Sequence, residues 1–460
     1  MDGKIRILFY NLDGAGVNYF RTLTPAQELE KNHSDEFYSE INPELDFNDP
    51  KTIDYLKTFH IIHYHRQFLQ DSQKMKQLVE ELRKNGTIIM VDIDDYWQLH
   101  KNHPFYSLSL EKKMHIPILE NLKMADYVTT TTDLFAEEIR KVTGKDNVGV
   151  FYNSIDPTWM KQFQNNWKPD PDGLVRITYM AGSSHMGDVQ QLDGVFNVLH
   201  NDWNLKNKFK VIIAGWDTEG NTTDITFNQD FGDELQKIGK WTISNVKIIN
   251  KTRGNVDMIP GLSQELKDKY RGKVFSENQR DIKSEESVYL IYEKILTDNH
   301  RNIENKDYVQ WLSNMERNVN YDNEGNFGRR WTQKANTYAQ VLDETDIVIA
   351  PLADNPFNRM KSNLKQVECW TRKLPIVCSG IPPYDVDGRH LENCVLIPAE
   401  KNARKYWQKY LKRLILDADL RKQLGEQLYE DFKDKYNLAD VTKKRADFYR
   451  AAVMKTLAVV

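Results

Sequence analysis

Two stretches of this chain open in the same way. IRILFYN (5–11) is a nearly unbroken apolar run, followed by the loop LDGAG and by VNYFRTLTPAQELEK, whose apolar residues recur at helical spacing. From residue 175 the order returns as VRITYMA, then GSSHMGD, then VQQLDGVFNVLH. A strand that passes through a glycine loop into a helix cannot turn straight back as a hairpin. A crossover of this kind favours a parallel next strand. Two such openings predict an α/β protein with two doubly wound parallel sheets, each Rossmann-like in its first unit.

The rest of the sequence extends this pattern. In the first half FHIIHYH, GTIIMVD, ADYVTTTT and FYNS read as strands, with LEKKMHIPILENLKM and LFAEEIRKV as helices between them. In the second half KFKVIIAG, NVKIIN, TDIVIAPL, LPIVCSG and NCVLIP read as strands. QNNWKPDPDG (164–173), polar and with two prolines, reads as the linker. Residues 217–329 are charged and mostly helical in pattern, with NVKIIN as the one good strand, and read as an insertion. The expected division is a first domain over 1–165, a second over 174–405 with that insertion, and terminal helices over 406–460.

Composition narrows the function classes. Lys plus Arg number 63 and Asp plus Glu 67, so a formal charge of -4 gives no global pull towards nucleic acid or anionic membrane. A basic groove within that balance stays open. Three cysteines, Cys369, Cys378 and Cys394, suit reduced structural thiols rather than a disulfide framework. MDGKIRILFYN enters a strand directly and no apolar run spans a bilayer, which predicts a soluble, cytoplasmic protein.

The candidate chemistry lies at the strand ends. RMKSNLKQVECW (359–370) follows the buried strand DIVIAPL, and at helical spacing Lys361, Lys365 and Glu368 share one face while Leu364 and Val367 share another. In open α/β sheets ligands bind beyond the carboxyl ends of the strands, where helix N-termini favour phosphate. Ser362 can cap this helix, Lys361 and Lys365 can neutralise a diphosphate, and backbone N–H groups near Asn363 can bind its oxygens. Glu368, one to two turns deeper, can accept from paired sugar hydroxyls. The set suits a nucleoside diphosphate.

Here the sequence resembles a known family. TDIVIAPLADNPFNRMKSNLKQVECWTRKLPIVCSG is similar to the donor-binding signature of GT-B glycosyltransferases, in particular glycosyltransferase family four, the "group 1" transferases. ADYVTTTTDLFAEEIRKVTGKDNVGVFYNSIDP resembles the end of that family's acceptor domain, and ITYMAGSSHMGDVQQL the start of its donor domain. The resemblance implies a GT-B fold and transfer of a sugar from a nucleoside diphosphate sugar, UDP-sugar favoured, to an acceptor hydroxyl with retention. It implies no required cofactor and no metal, the nucleotide sugar being co-substrate, and C-terminal helices that brace the first domain. Family members carry a Glu-x7-Glu pair, of which Glu368 matches the second; Met360 stands where the first belongs, and Asn358, Asn363 or Ser362 are candidates to replace it.

Other residues are placed in the cleft by the same resemblance. Gly14 and Gly16 in the first loop, with Asn18 and Arg21, read as donor or acceptor contacts or as a tight turn. Gly182 and Ser183 read as diphosphate contacts, Asp188 as a cap, and His185 as a sugar or phosphate contact or as structural. In FHIIHYHRQF, strand alternation sets His63 and His65 opposite His60, which disfavours zinc, and Arg66 aims a cation into the cleft. Asp92, Asp94 and Asp95 in VDIDDYW follow a strand. Asp94 or Asp95 can orient the acceptor hydroxyl or accept its proton, or the segment is loop structure; Tyr96, Trp97 and His103 can wall the acceptor. Acceptor glycan, lipid-linked sugar, protein and hydroxylated DNA base all stay open. The DIDDYW segment resembles phage-encoded transferases, some of which glycosylate modified bases in DNA, which would place the enzyme in a host cytoplasm. A sugar-nucleotide 2-epimerase and a non-catalytic nucleotide-sugar-binding protein are the alternatives.

Overall fold

The computed structural model describes residues 3–11, 16–69, 71–101, 103, 106–158, 172–182, 185–216, 221–227, 231, 256–258, 262–271, 275–281, 295–296, 321–322, 327–331 and 335–458. The chain divides into two units: Met1–Asp217, Ile291–Asn299 and Asn318–Val460 form the larger, and Thr218–Leu290 with His300–Arg317 the smaller. The linker QNNWKPDPDG falls largely, and the expected strand NVKIIN wholly, outside the described residues.

The larger unit holds two sheets. The first contains β1 (Ile5–Tyr10), β2 (Phe37–Ile41), β3 (Ile61–His65), β4 (Ile88–Ile93), β5 (Tyr127–Thr130) and β6 (Val148–Val150), all parallel, in the order β2-β1-β3-β4-β5-β6. Every residue of β3 and β4 is buried, as central parallel strands covered on both faces require. The last strand is VGV, and FYNS, expected as a strand, is instead the irregular segment after it. The flanking helices α1 (Thr24–His33), α2 (Ser72–Lys84) and α3 (Asp133–Thr143) alternate with the strands. Asp71 caps α2 by accepting from the Gln73 and Lys74 amides, Thr132 caps α3, and left-handed Gly144 ends α3. Where one helix was expected over 110–124, there are two, broken at Lys113, whose φ is 48°.

The second sheet takes β7 (Val175–Met180), β8 (Phe209–Trp216), β11 (Tyr321–Asp322), β12 (Phe327–Trp331), β13 (Ile347–Ala350), β14 (Ile376–Gly380) and β15 (Val395–Pro398). Their order is β11-β12-β8-β7-β13-β14-β15, with only β11 antiparallel. In both sheets the strand order reverses beside the first strand of that domain, β1 or β7. That switch point is where a ligand crevice opens. In the smaller unit β9 (Asn221–Phe227) and β10 (Phe275–Asp281) form an antiparallel pair. The helical pattern read over 217–329 did not foresee it.

Helices α4 (Leu364–Trp370), α5 (Ala403–Leu416), α6 (Ala418–Phe432) and α7 (Leu438–Leu457) complete the larger unit. α7 returns to the first sheet, where Ala446, Tyr449, Ala452 and Val453 join the core beside Ile7, Phe9, Ile61 and Met90. Its entry is fixed by the interdomain crossing: Ile155 donates to the Tyr436 carbonyl at 3.1 Å and accepts from the Leu438 amide at 3.2 Å. Two side chains cross between domains in opposite senses. Phe20, in the π-helical turn Tyr19–Leu23 that leads into α1, packs in the second core, and Met360 packs against the first. Among the described residues no helix is long and apolar enough to cross a membrane.

Candidate functional site

A cleft of 450 Å³ opens between the carboxyl ends of the two sheets. From the first domain it receives Gly16, Phe20, Arg21, Asp94, Asp95 and Asn153; from the second, Gly182, His185, Tyr338, Lys361, Ser362, Lys365, Glu368 and Tyr384. Its size is that of a small-molecule site.

The second-domain wall is built by a broken helix. Asn355 caps the short helix Pro356–Arg359 by accepting from the Asn358 amide at 3.0 Å, and α4 begins only at Leu364. Lys361 and Ser362 therefore sit in the turn between two helices. Ser362 does not cap α4 as expected: its Oγ accepts from Asn153 Nδ2 at 2.8 Å, across the domain boundary. Asn363 holds the N-cap position without a side-chain capping bond, and its buried Nδ2 donates to Tyr436 Oη at 2.7 Å. The Asn363 side chain is thus turned into the protein, leaving its backbone to the turn.

Glu368 lies on the cleft floor with its side chain fully buried. Lys365 Nζ donates to Oε2 at 2.8 Å, and Tyr338 Oη donates to Oε1. Burial and the adjacent carboxylate push the Tyr338 hydroxyl well above its usual range, so it stays protonated and keeps donating. Each carboxylate oxygen has a second lone pair for a ligand hydroxyl. Met360, at the position of the family's first acid, packs its side chain against the first domain's core instead.

On the first-domain wall Asp94 accepts from His65 Nε2 at 2.9 Å and Arg66 Nη2 at 3.0 Å. Arg66 and His65 hold its carboxyl well below the usual carboxylate range despite burial. A carboxylate so stabilised is a poor proton acceptor but a rigid hydrogen-bond acceptor. Asp95 lies 3.5 Å from Arg66 and 3.6 Å from Lys361 Nζ, which stands over the Phe357 ring. Arg66 thus does not aim freely into the cleft. Its strained left-handed backbone, φ 53°, turns the guanidinium back onto the two aspartates.

Arg21 stands at the cleft, where the resemblance places it. It touches the cleft from beneath with its side chain buried, pairing with Asp92 Oδ1 at 2.6 Å and Oδ2 at 3.0 Å, and donating to the Phe151 carbonyl at 2.5 Å. Arg21 and Asp92 tie the opening helix to β4 and to the crossing segment. Their role is to fix the wall. Asn18 turns to Asn42 Nδ2 at 3.4 Å and does not line the cleft. Gly16 and Gly182 face open space where a Cβ would stand. Gly14 and Ser183 lie outside the described residues.

His185 and Asp188 act together. Asp188 Oδ2 accepts from His185 Nδ1 at 2.7 Å, and Oδ1 accepts from the Ala353 amide and Asn358 Nδ2, both at 2.8 Å. Asp188 therefore locks the β7 loop to the β13 loop rather than serving as a simple cap. His63 is wedged between Tyr449 Oη and Thr129 Oγ1, both at 2.9 Å, and burial pushes its imidazole down to about 3. His60 turns away to accept from the Arg6 amide at 3.0 Å. Among the described residues no three His, Cys, Asp or Glu side chains stand where they can hold a metal ion. Asn153 and Tyr338 escaped the sequence reading. The first ends FYN beyond the last strand of its sheet and the second precedes TDIVIAPL, so position relative to strand ends was the available signal.

No protein-family model and no curated protein sequence matches the chain. Solved structures do. Sucrose-phosphate synthase from Thermosynechococcus elongatus aligns with a TM-score of 0.54 at 10% identity, over 97% of this chain and 99% of that one. Anabaena HepE, in complex with UDP and glucose, gives 0.51 at 10% identity over 97% and 100%. The fold is GT-B. A glycosyltransferase from Rickettsia africae has the same GT-B architecture, at a TM-score of 0.51 and 11% identity over 98% and 99%. In GT-B terms the cleft described above lies between the two Rossmann-like domains, with Glu368 and Lys365 on one wall and Asp94 and Asp95 on the other.

Proposed function

We propose that the protein is a glycosyltransferase that takes a sugar from a nucleoside diphosphate sugar, UDP-sugar first among them, and passes it to an acceptor hydroxyl with retention. The observation that carries this reading is the convergence of Lys361, Ser362, Lys365 and Glu368 on one wall of the interdomain cleft of a GT-B fold. Anabaena HepE, of the same fold, is known in complex with UDP-glucose.

In this reading Glu368 accepts from the ribose hydroxyls, and Lys365 leaves its carboxylate to meet the diphosphate together with Lys361. Backbone N–H groups of the turn at Asn363 and at Gly182 complete the phosphate contacts. These donors act most strongly as charge grows on the departing diphosphate, which accelerates the reaction without an enzymic base. The departing phosphate takes the acceptor proton. Asp94, held ionised by Arg66 and His65, and Asp95 orient the acceptor hydroxyl. Gly16 and His185 border the transferred sugar.

A nucleotide-sugar-binding protein without turnover is the second reading, favoured by Met360 at the position of the family's first acid. One experiment separates the outcomes. Nucleotide sugars are screened for a rise in unfolding midpoint, and those that bind are followed for sugar release and transfer. A ligand at 100 times its Kd stabilises by about 2.7 kcal/mol. Binding with transfer supports the proposal, binding without turnover on any acceptor supports the second reading, and no binding by any nucleoside diphosphate sugar refutes both.

A further inference from the structure

The turn that carries Lys361 and Ser362 is held from behind. Tyr436, between α6 and α7, is buried, and its ring stacks on Phe432 with centroids 4.7 Å apart. Its hydroxyl has a partner on each side: it accepts from Asn363 Nδ2 at 2.7 Å and donates to Asp387 Oδ2. Both Asp387 oxygens also accept from Lys435 Nζ, at 2.7 and 2.8 Å. Chemistry fixes the direction of each bond. The Asp387 carboxylate, paired with Lys435, can only accept, so the Tyr436 proton goes to it. Burial and Asp387 push that hydroxyl above its usual range, so it keeps the proton. The remaining lone pair faces Asn363, which must present its N–H₂ there and not its carbonyl. The Asn363 side chain has one allowed orientation as a result, and it holds the backbone of the turn with it.

The same tyrosine holds the domain crossing. Its carbonyl accepts from the Ile155 amide at 3.1 Å, and two residues before Ile155 the Asn153 side chain donates to Ser362 Oγ at 2.8 Å. These bonds close a circuit: Asn153 to Ser362, Asn363 to Tyr436, Tyr436 to Ile155. The turn cannot shift without breaking one of them or moving the crossing as well, and bonds in such a network reinforce one another. Packing alone does not call for the hydroxyl, since a phenyl ring would fill the same space against Phe432. We infer that Tyr436 is a positioning residue of the donor site, its hydroxyl setting the turn at Asn363 so that the backbone N–H groups there meet the diphosphate. Tyr436 does not line the cleft and acts only through Asn363. Glu368 is held separately, by Lys365 and Tyr338, so the nucleoside end of the donor does not depend on this tyrosine. The inference rests on the proposed donor reading and adds to it the group that aligns its phosphate contacts.

The test uses the full chain, native and as the Tyr436→Phe and Asn363→Ala variants, with UDP and uridine as ligands. UDP binding is measured by calorimetry and uridine binding by NMR titration. Tyr436→Phe should bind UDP about tenfold more weakly, the scale of one lost hydrogen bond to a charged group. Uridine, which has no phosphate, should bind within about twofold of native, which also reports an intact fold. Asn363→Ala breaks the same bond from the turn and should weaken UDP to a similar extent, so it carries the test if Tyr436→Phe does not fold. The double variant should lose little more than either single one, because one bond can be lost only once. UDP and uridine weakened alike would make the hydroxyl a structural group only, and UDP bound as tightly as by the native protein would separate the turn from it. Either result overturns the inference, as do losses that add in the double variant. Failure of UDP to bind the native protein overturns the donor reading instead, and is seen without any variant.

Discussion

Replacing Glu368 with Gln keeps the side chain's volume and removes its charge, so the effect can be worked from the contacts. In the native protein Lys365 and Tyr338 each donate to one carboxylate oxygen. Glutamine offers a single acceptor oxygen and turns an N–H₂ towards one of these donors, so one contact must break. Loss of one member of a buried pair costs about 3–5 kcal/mol, but an exposed pair is worth under about 1 kcal/mol. Lys365 is 23% exposed and can turn to water, so a stability loss of about 1–2 kcal/mol is expected, between those limits. For UDP the variant loses a charge-assisted bond to the ribose, about 1.5–3 kcal/mol. It gains a released lysine near the diphosphate, at most about 1 kcal/mol for a solvent-reaching charge. The loss exceeds the gain. Calorimetry should show UDP weakened by roughly 1–2 kcal/mol, about 5- to 30-fold, whereas 2′,3′-dideoxy-UDP, lacking the hydroxyls, should bind unchanged or slightly tighter. Equal weakening of both ligands would refute the ribose assignment and leave Glu368 as a partner that merely holds Lys365.

The Lys365→Met variant should weaken UDP by about 1.5–3 kcal/mol and slow transfer as well, because the diphosphate is bound before reaction and gains charge during it; unchanged affinity with an intact fold would end that assignment. Asp94→Asn and Asp95→Asn should leave UDP affinity within about 0.5 kcal/mol while transfer falls by up to about 10²-fold, the lower end for an acid–base group and fitting an orienting one. Normal turnover in both would make these carboxylates loop structure. His63 is held neutral by burial, its pKa lowered from 6.5 to about 3. Between these two values the unfolded chain binds a proton that the folded chain does not, so this group's contribution to stability is complete above pH 6.5 and is lost as pH falls towards 3. The His63→Gln variant should therefore show a shallower loss of unfolding midpoint from pH 7 to pH 5 than the native protein; parallel curves would contradict this.

The parallel sheets were legible because buried central strands leave no polar positions except those that are paired. GTIIMVD and TDIVIAPL announce themselves for that reason. β9 and β10, NTTDITF and FSENQRD, carry too few apolar residues to be told from loop, and their pairing is set by each other. The site was legible as a location, not as a set of bonds. Lys361, Lys365 and Glu368 reach one cleft, but the helix that was to display them begins three residues after Lys361, since the Asn355 cap closes a separate turn first. Arg21 lines the cleft, and its partner there, Asp92, is 71 residues distant. Nothing local reveals that such a cation is already neutralised. Tyr338 lies in a 3-10 turn whose only sequence mark is its distance from the next strand.

The helix α7 has a consequence for how this protein is made. Ala446, Tyr449, Ala452 and Val453 supply part of the apolar cover of the first sheet, and the Tyr449 hydroxyl completes the bonding of His63. Phe448 fills the space against Gly149, where a Cβ would stand 3.0 Å from its ring. On the ribosome these residues emerge after the whole second domain. The first sheet therefore waits, with Ile7, Phe9 and Met90 unshielded on one face, for residues translated after the second domain. Domains usually mature in the order of synthesis. Here the first can finish only when the second has been made, so the two walls of the cleft mature together.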